Sequence, residues 1–447
     1  MDFAKLLVLI IAILIGLNAQ ATETDFIYGQ YKKMDLDNGF ANLFIVSKDK
    51  KSDWYQNFAI EQLEEISFIF SSTCSHSHCI ISVNSYNATT LESAPKIINS
   101  EDGGLSWAFK PINDIPPFFE STVIDNVFCD NEFCLGGGMT VDMNQSNSPR
   151  PILIRSMDNG QTWHYISGIP QLKPLKPVMM STGNITCYKS VCVAAGGYEI
   201  SEIRAVPFIL TSIDKGVHWL MTEQIENLPA EFDGIERGGS LINNKGRFIA
   251  TYTAVLKNNK TFPLIITSDD GKSWKFVSAI TNLPANLYEP YLTNIECVEN
   301  ICITAGWYGE RHQEQPFLLK SVDNGNTWVF KSTPIIYPNI FKSAKLIKVK
   351  YTEGIWVISG SYNNNNSLIL ISEDNGDNWA QATLQLANEH KQDALSYLNC
   401  NKAHCIAAGT NLVLFESYNQ GHVWQQVILE EKISSFDSGF LMGAYIH

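Results

Sequence analysis

The residues best suited to chemistry in this sequence are arginines and carboxylates that share a segment with aromatic rings. The stretch GWYGERHQEQ, residues 306–315, places Trp307, Tyr308, Glu310, Arg311 and His312 within six positions. A carboxylate pair assisted by an Arg is chemically sufficient for glycoside hydrolysis. The same side chains can hold a sugar or a peptide without turnover, and loops rich in Glu and Arg are often only solvated. This stretch is the leading site candidate, and no residue is assigned a catalytic role.

Further candidates for ligand binding lie in two other long segments. GGYEISEIRAVP supplies Tyr198, Glu199 and Arg204, and NLPAEFDGIERGG supplies Arg237. The chain has only six arginines, and Arg155 and Arg247 lie at the repeated turns rather than near these segments. The elements that position these segments follow from a second pattern, which runs through the whole chain.

That pattern is a ten-residue phrase with Asp, Gly and Trp at fixed spacing. SVDNGNTWVF, from Ser321, recurs in complete or eroded form at starts 47, 100, 156, 212, 267, 372 and 417. Eight of the ten tryptophans occupy its Trp position. A catalytic group occurs once per site, so a repeated set indicates structure. We expect the carboxylate to accept backbone N–H bonds in a turn, the Gly to adopt a positive φ, and the Trp to fill space between sheets. The acids expected in this role are Asp102, Asp158, Asp214, Asp269, Asp323 and Asp374.

All ten cysteines fall into C-x4-C pairs in phase with the phrase. If each pair flanks a tight hairpin, its two cysteines face each other at a distance a disulfide can span. The expected bonds are Cys74-Cys79, Cys129-Cys134, Cys187-Cys192, Cys297-Cys302 and Cys400-Cys405. Zinc binding at CSHSHC, through His76 and His78, is the weaker alternative because zinc spacing is usually C-x2-C. We expect no metal and no cofactor.

Two repeats lack the cysteines, and their equivalent positions are taken as Ile242/Arg247 and Tyr351/Trp356. The second pair suggests an aromatic cross-strand contact in place of the disulfide. A Gly four residues beyond the second Cys, as at Gly306, is expected to end the second strand. Tyr198, Tyr308, Tyr362 and Tyr445 stand six residues beyond that Cys or its equivalent. They form either a partial aromatic ring or, as we favour, caps on the strand ends.

A repeat period near 50 residues predicts a propeller or a solenoid. Within one period LTNIECVENICITAG indicates two strands around a turn, PFLLKS a third strand and WVFKS a fourth. Four antiparallel strands per repeat are typical of a propeller blade. The sequence therefore predicts an all-β, single β-propeller of eight four-stranded blades, with seven as the alternative. ANLFIVS with the strand after it, and the C-terminal ISSFDSGFLMGAYI as two strands, are expected to close one composite blade.

The first 21 residues have the features of a signal peptide. One Lys precedes an apolar run from Leu6 to Leu17 and a small-x-small ending at Ala19-Gln20-Ala21, and the run is short for a membrane span. We expect cleavage after Ala21, a propeller over residues 22–447, and a secreted or periplasmic protein. A net charge of -14 with scattered Lys and Arg argues against nucleic acid as a partner. The oligomeric state is open.

The phrase resembles the Asp-box, or BNR, repeat, S/T-x-D-x-G-x-T/S-W-x-F, and the resemblance covers the mature chain. Families carrying it include sialidases, sortilin-type receptors, xyloglucan-degrading glycosidases and photosystem II assembly factors of the Ycf48 type. In these families the box lies on the face opposite the functional mouth. The resemblance therefore implies that the cysteine turns share the rear face and that the loops named above lie at the other.

The same resemblance offers two functions. A sialidase-like chain, an exo-α-sialidase, would need three arginines on the substrate carboxylate, a Tyr-Glu nucleophile pair and an F/Y-R-I-P motif. That motif is missing, and sialidases are six-bladed. The interpretation favoured here is a non-catalytic, disulfide-stapled binding or assembly module for a glycan, protein or peptide ligand. The glycoside hydrolase remains the alternative.

Overall fold

The computed structural model describes residues 24–33, 40–48, 54–56, 67–75, 77–86, 93–130, 132–145, 148–170, 180–201, 204–222, 224–285, 287–332, 342–363, 365–386, 393–429 and 436–446. Within these residues the chain is built from β-strands, and the one helical element is the 3-10 turn Met143–Gln145. The strands form four-stranded antiparallel units in chain order. In each unit the first strand pairs with the second, the second with the third and the third with the fourth. The first 23 residues, with the expected signal peptide, lie outside the described residues.

We number the units 1–8, and each unit's strands follow from first to fourth. Unit 1 contains Phe436–Tyr445, Thr24–Lys33, Phe40–Lys48 and Trp54–Gln56. Unit 2 contains Ser67–Ser75, His78–Tyr86, Ser93–Ser100 and Ala108–Lys110. Unit 3 contains Phe119–Cys129, Cys134–Asp142, Ser148–Ser156 and Trp163–Tyr165. Unit 4 contains Met180–Tyr188, Val191–Ser201, Arg204–Ser212 and Leu220–Met221.

The second half repeats the arrangement. Unit 5 contains Phe232–Asn244, Arg247–Leu256, Thr261–Ser268 and Trp274–Phe276. Unit 6 contains Tyr291–Val298, Ile301–Tyr308, Gln315–Ser321 and Trp328–Ser332. Unit 7 contains Ala344–Thr352, Ile355–Tyr362, Asn366–Ser372 and Ala380–Gln381. Unit 8 contains Leu395–Asn401, His404–Gly409, Leu414–Ser417 and Val423–Gln426.

The first strands of the units lie side by side around a common centre. Each contacts the first strand of the next unit, and the cycle closes where the first strand of unit 1 meets those of units 8 and 2. This arrangement confirms the all-β propeller. The eight-blade count stays a prediction, which the eight units in the described strands support.

The join between the chain ends differs from the expectation. The C-terminal segment forms one long strand, Phe436–Tyr445, where two were expected, and the N-terminal Thr24–Lys33 supplies the second strand of unit 1. Three strands of unit 1 therefore come from the N-terminal segment, and a single strand comes from the C-terminal segment. Phe26, Ile27 and Tyr28 are buried, so this N-terminal strand belongs to the core.

Four short strands that the repeat pattern did not predict cover the outer edges of units. After a fourth strand, the linker adds two or three residues in parallel to the fourth strand of the next unit. They are Ile112–Asn113, Ile225–Glu226, Ile280–Thr281 and Thr383–Gln385. Pairing an outer strand in this way removes an exposed sheet edge.

The core lies between neighbouring units. Between units 5 and 6, Ile249 and Ile265 of one unit pack with Phe317 and Trp328 of the next. Equivalent clusters follow around the molecule. Each unit therefore buries its apolar face against its neighbour, as stacked repeats require.

The Gly after the second Cys, or its equivalent, ends the second strand in unit 8, at Gly409, as predicted, but lies inside that strand in units 3, 4, 6 and 7. Gly306 and Gly360 lie inside their strands, opposite an irregularity in the first strand. A Cβ added to Gly306 would lie 2.0 Å from the carbonyl oxygen of Tyr291, and one added to Gly360 would lie 2.0 Å from that of Lys345. The Gly is required because the first strand's backbone approaches it closely.

Candidate functional site

The two kinds of repeated turn lie at the same end of the units. In unit 6 the Asn324 amide of the box turn donates to the Asn300 carbonyl in the cysteine turn at 2.8 Å, and in unit 4 the Lys215 amide donates to the Ser190 carbonyl at 2.9 Å. We call this end the rear face. The front face consists of the connections between second and third strands and of the linkers between units.

Every cysteine pair forms its predicted bond. The partners lie directly opposite each other on the first and second strands, with Cα atoms 4.1 Å apart in all five disulfides. In unit 7, Tyr351 lies opposite Trp356 and their ring centroids are 5.2 Å apart. This confirms the prediction that an aromatic cross-strand contact takes the place of the disulfide. The Ile242/Arg247 equivalence is wrong. Ile242 pairs with Ile249, and Asn243 pairs with Phe248 at the register of the cysteines.

The Asp of each box is used within its own turn. In unit 6 the Asp323 carboxylate accepts the Thr327 amide at 2.9 Å, the Thr327 hydroxyl at 2.7 Å and the Ser321 hydroxyl at 2.8 Å. The indole Nε1 of Trp328 donates to the Gly325 carbonyl at 3.1 Å. Gly325 has a φ of 81° and lies against Ile249 of unit 5, so the turn leaves no room for a side chain there. The amide contact recurs at Asp102, Asp158, Asp214 and Asp374.

In unit 5 the predicted acid is the wrong one. Asp270 accepts the Ser273 amide at 2.7 Å and the Ser268 hydroxyl at 2.9 Å, so it occupies the box position assigned to Asp269. The third strand ends at Ser268, which shortens the turn by one residue. Asp269 instead accepts Arg247 Nη1 at 2.6 Å. Two adjacent Asp residues made both registers possible in the sequence.

These turns hold their carboxylates in the ionised form. Burial would raise the pKa of Asp374, but hydrogen bonds from the Asn378 backbone and side chain and from the Ser372 hydroxyl outweigh it and lower the pKa to about 2. Asp214 and Asp270 also have a pKa of about 2 for the same reason. An acid held ionised by its own turn is a poor proton donor, which fits a structural role.

The leading candidate stretch is divided between a strand and a turn. Trp307 and Tyr308 are the last residues of the second strand of unit 6. The Trp307 ring lies 4.4 Å from the ring of Tyr291 on the first strand, and Lys345 Nζ of unit 7 lies 5.4 Å from its centroid. Tyr308 contacts Phe317 and Phe330, which favours the capping role over an open aromatic ring.

Glu310, Arg311 and His312 follow in an exposed turn at the front face. The Gln313 amide donates to the Glu310 carbonyl at 3.0 Å and closes this turn. Three of the residues nominated in the stretch therefore project at the surface, whereas Trp307 and Tyr308 are anchored by neighbouring rings.

The remaining nominated residues are placed by their backbone only. Tyr198 and Glu199 lie in the second strand of unit 4, Arg204 begins its third strand, and Arg237 lies in the first strand of unit 5. Their side chains lie outside the described portion of the structure. Tyr445 stacks on Phe26 with centroids 6.0 Å apart, so it too caps a unit.

Three of the six arginines are held by groups of the chain itself. Arg150 forms an ion pair at 2.7 Å with the buried Asp142. The Nε of Arg155 donates to the Lys215 carbonyl at 2.9 Å, and Arg247 binds Asp269 on the rear face. Arg311 lies at the front face, and among the described residues it has no acidic partner.

Two of the cavities near the stretch contain a Glu side chain. One of about 840 Å³ lies between units 6 and 7 and is lined by Arg311, His312, Glu314, Lys342, Lys345 and Tyr362 among others. The other, of about 480 Å³, lies between units 4 and 5 and contains Glu236, Tyr252 and Tyr291. The sequence did not nominate Lys342 or Lys345, because they come from the next repeat and no spacing within one repeat relates them to Arg311. Glu314 lies in the candidate stretch itself and is distinguished only by its ion pair with Lys345.

A group of acids lies beside the second cavity. A hydrogen bond with Glu289 and the charges of Glu289, Glu310 and Glu236 raise the pKa of the exposed Tyr288. Tyr252 is buried, which raises its pKa, and its hydroxyl has no hydrogen-bond partner within the described residues.

The described residues show neither a metal-binding group nor a membrane-spanning helix. They contain no group of three His, Cys, Asp or Glu side chains arranged to hold a metal ion. They also include no helix long and apolar enough to cross a membrane. Of the two His residues between the first cysteines, His78 is partly buried at the start of a strand, and His76 lies outside the described residues.

The chain matches one family of known sequences. The BNR repeat-like domain family matches residues 172–434, which is more than half of the chain. No curated protein matches the sequence.

Several solved structures are similar to the chain at low identity. YCF48 from Cyanidioschyzon merolae is 12% identical with a TM-score of 0.43, covering 76% of this chain and 92% of that protein. An α-L-arabinofuranosidase from Fusarium graminearum is 13% identical with a TM-score of 0.40, covering 84% and 92%. A xyloglucanase from Xanthomonas campestris is 10% identical with a TM-score of 0.43, covering 90% and 67%. The chain belongs to the family of BNR repeat-like propellers.

Proposed function

We propose that this protein is a non-catalytic binding or assembly module that takes a glycan or protein ligand on its front face. The observation that carries the proposal is a difference between the two faces. The repeated acids on the rear face are used in their own turns, whereas the front face has unit-specific turns and a cavity of about 840 Å³. Sites of this size, with a few convergent polar groups, are typical of ligand binding.

The proposal includes export to an oxidising compartment. Five disulfides close short hairpins on the rear face, and such bonds persist outside the reducing cytosol. A secreted or periplasmic location is the finer form of this proposal, and it also depends on the signal-like first 21 residues.

The alternative is a glycoside hydrolase of sialidase type. The group formed by Tyr288, Glu289, Glu310 and Glu236 provides the carboxylates and the phenol that such chemistry uses. The hydrogen bond with Glu289 raises the pKa of Tyr288 but also places a carboxylate base beside its hydroxyl, as a Tyr-Glu nucleophile pair requires, so it does not favour either function. However, the fixed Arg150, Arg155 and Arg247 leave few arginines for a carboxylate clamp. The three held arginines support binding over hydrolysis.

The test combines a glycan and peptide array with hydrolysis of fluorogenic glycosides, including sialosides. Wild type is compared with Arg311→Ala on the front face and Lys272→Ala on the rear face, which removes an equal charge from an exposed position. We expect ligand binding that Arg311→Ala weakens and Lys272→Ala does not, with no turnover. Sialoside hydrolysis that is lost in Arg311→Ala or in Glu310→Gln would overturn the binding proposal in favour of the hydrolase.

A further inference from the structure

The cavity between units 6 and 7 has two walls from different repeats. One wall is the turn after Tyr308, with Arg311, His312 and Glu314. The other consists of the residues before and within the first strand of unit 7, together with the connection after its second strand. Lys342 and Lys345 come from the first-strand segment, and Tyr362, Asn363 and Asn365 from the connection.

Both walls are fixed by hydrogen bonds before any ligand arrives. The Ala344 amide donates to the Glu314 carbonyl at 2.9 Å, which ties unit 6 to unit 7. Within unit 7, the Lys342 amide donates to Asn363 Oδ1 at 2.6 Å and the Asn363 amide donates to the Ser343 carbonyl at 3.0 Å. A rigid cavity loses little conformational entropy on binding, which favours affinity.

The cavity carries excess positive charge although the protein has a net charge of -14. Lys345 is neutralised by the buried Glu314, whose carboxylate lies 3.0 Å away. Burial would raise the pKa of Glu314, but hydrogen bonds from Lys345 and from backbone amides lower it, so the pair remains ionised. Arg311 and Lys342 have no acidic partner among the described residues. Two cations are therefore available at the rim.

We infer that this cavity binds an acidic oligosaccharide through a carboxylate or sulfate group, an inference that rests on the proposed binding function. The guanidinium of Arg311 can hold either anion with two parallel hydrogen bonds, and Lys342 adds a point charge. The side-chain amide of Asn365 and the hydroxyl of Ser361 offer partners for sugar hydroxyls. The half-buried Tyr362 adds an aromatic surface.

An acidic peptide fits this cavity less well. Peptides that bind sheet proteins commonly add a strand to a free edge. The second strand of unit 7 is paired on both sides, with Ala344–Thr352 and with Asn366–Ser372, so its backbone is already used. The cavity therefore offers side chains and fixed cations for binding, and these groups suit a charged sugar.

The inference is tested by calorimetric titration of the full-length protein. The probes are trigalacturonate, a sulfated trisaccharide, a neutral galactose trisaccharide and hexaglutamate. Variants are Arg311→Ala, Arg311→Lys, Lys342→Ala and the rear-face control Lys272→Ala, each checked for an unchanged thermal midpoint. We expect one or both acidic trisaccharides to bind, at least tenfold more weakly in Arg311→Ala and Lys342→Ala, with partial recovery in Arg311→Lys and no change in Lys272→Ala. Binding should weaken as salt rises.

Equal affinity for the neutral trisaccharide, no loss in Arg311→Ala, preference for hexaglutamate, or no binding of any probe would each overturn the inference. Neutral-sugar or peptide binding would leave the proposed function standing, because a ligand would still be bound. Turnover of glycosides would instead remove the proposed function, so the two failures are distinguishable.

Discussion

At the scale of single residues, the box carboxylate is a hydrogen-bond acceptor that fixes one turn. Unit 8 provides a natural comparison, since Asn419 occupies the Asp position. Its Oδ1 accepts the Val423 amide at 2.9 Å and the Ser417 hydroxyl at 2.8 Å. One oxygen therefore suffices for the central contacts, and the second carboxylate oxygen serves the side chain at the seventh position.

This comparison gives a graded prediction for unit 6. Asp323→Ala leaves the Thr327 amide and the Ser321 hydroxyl without their acceptor, and it should lower the free energy of unfolding by about 1–3 kcal/mol. Asp323→Asn should cost clearly less, because it reproduces the arrangement at Asn419. The midpoint of chemical denaturation measures both. An Asn variant as unstable as the Ala variant would show that the turn requires the charge.

The same turns predict acid sensitivity. Asp214, Asp270 and Asp374 have folded-state pKa values of about 2, below the ordinary value of 3.8, so the unfolded chain binds more protons. Their stabilisation is fully present above about pH 4 and is lost as the pH falls towards 2. Denaturation midpoints at pH 7, 4 and 2.5 should show the decrease in that last interval.

The acid sensitivity should be shallower in Asp374→Asn, because this variant has one fewer carboxylate to protonate. An identical pH dependence in Asp374→Asn and wild type would contradict the assignment. Measurements at pH 7 supply the control for the substitution itself.

At the scale of elements, the cross-strand link in the hairpin between the first and second strands varies from one unit to another. Five hairpins carry a disulfide, unit 7 carries Tyr351 and Trp356, and unit 5 carries Asn243 and Phe248 at the same register. In unit 5 the Arg247 side chain instead links the hairpin to Asp269 and to Asn326 of unit 6. The fold thus tolerates different cross-strand links at one position.

Removing one disulfide should therefore weaken the protein without unfolding it. The double variant Cys297→Ala/Cys302→Ala opens a short loop and should lower the free energy of unfolding by about 2 kcal/mol. Denaturation without reductant keeps the other four bonds intact. The reduced wild-type protein, which loses all five disulfides, is expected to be much less stable. No difference between wild type and the double variant would show that the Cys297–Cys302 bond contributes no stability.

At the scale of the whole molecule, closure depends on one C-terminal strand. Phe436–Tyr445 pairs with Thr24–Lys33, and the Tyr397 hydroxyl of unit 8 donates to the Ala444 carbonyl at 2.5 Å. A second contact involves a buried histidine. The buried His404 of unit 8 lies 3.5 Å from Asp25 of unit 1 and 3.5 Å from Glu416, and its ring stacks on Tyr418.

Deletion of residues 436–447 should open the molecule. It exposes the edge of Thr24–Lys33 and removes Leu441 and Ala444 from the core with units 1 and 8, so we expect a large loss of stability and aggregation. Tyr397→Phe, which removes one hydrogen bond to the same strand, should cost only about 1 kcal/mol. Thermal unfolding with light scattering separates the two. A truncated protein as soluble and stable as wild type would contradict closure by this strand.

Much of this fold was predictable from the sequence because the same residue pattern repeats along the chain. The spacing of Asp, Gly, Trp and Cys specifies turns and strand registers that are local, so strands such as Trp328–Ser332 and all five disulfides followed directly. Local information failed where two registers were equally possible, as at Asp269 and Asp270, and where one strand had no turn signal, as at Thr24–Lys33.

The candidate site divides in the same way. The repeat phase places Arg311 in the connection between a second and a third strand, and the resemblance to Asp-box repeats implied that this connection lies at the front face. Only the tertiary structure brought Lys342 and Lys345 beside Arg311, since contacts between neighbouring units join residues that no repeat spacing relates. Glu314 was already in the same stretch, and the structure added its ion pair with Lys345. The tertiary structure likewise decided that Tyr308 caps a unit, because the rings that cover it come from the third and fourth strands of that unit.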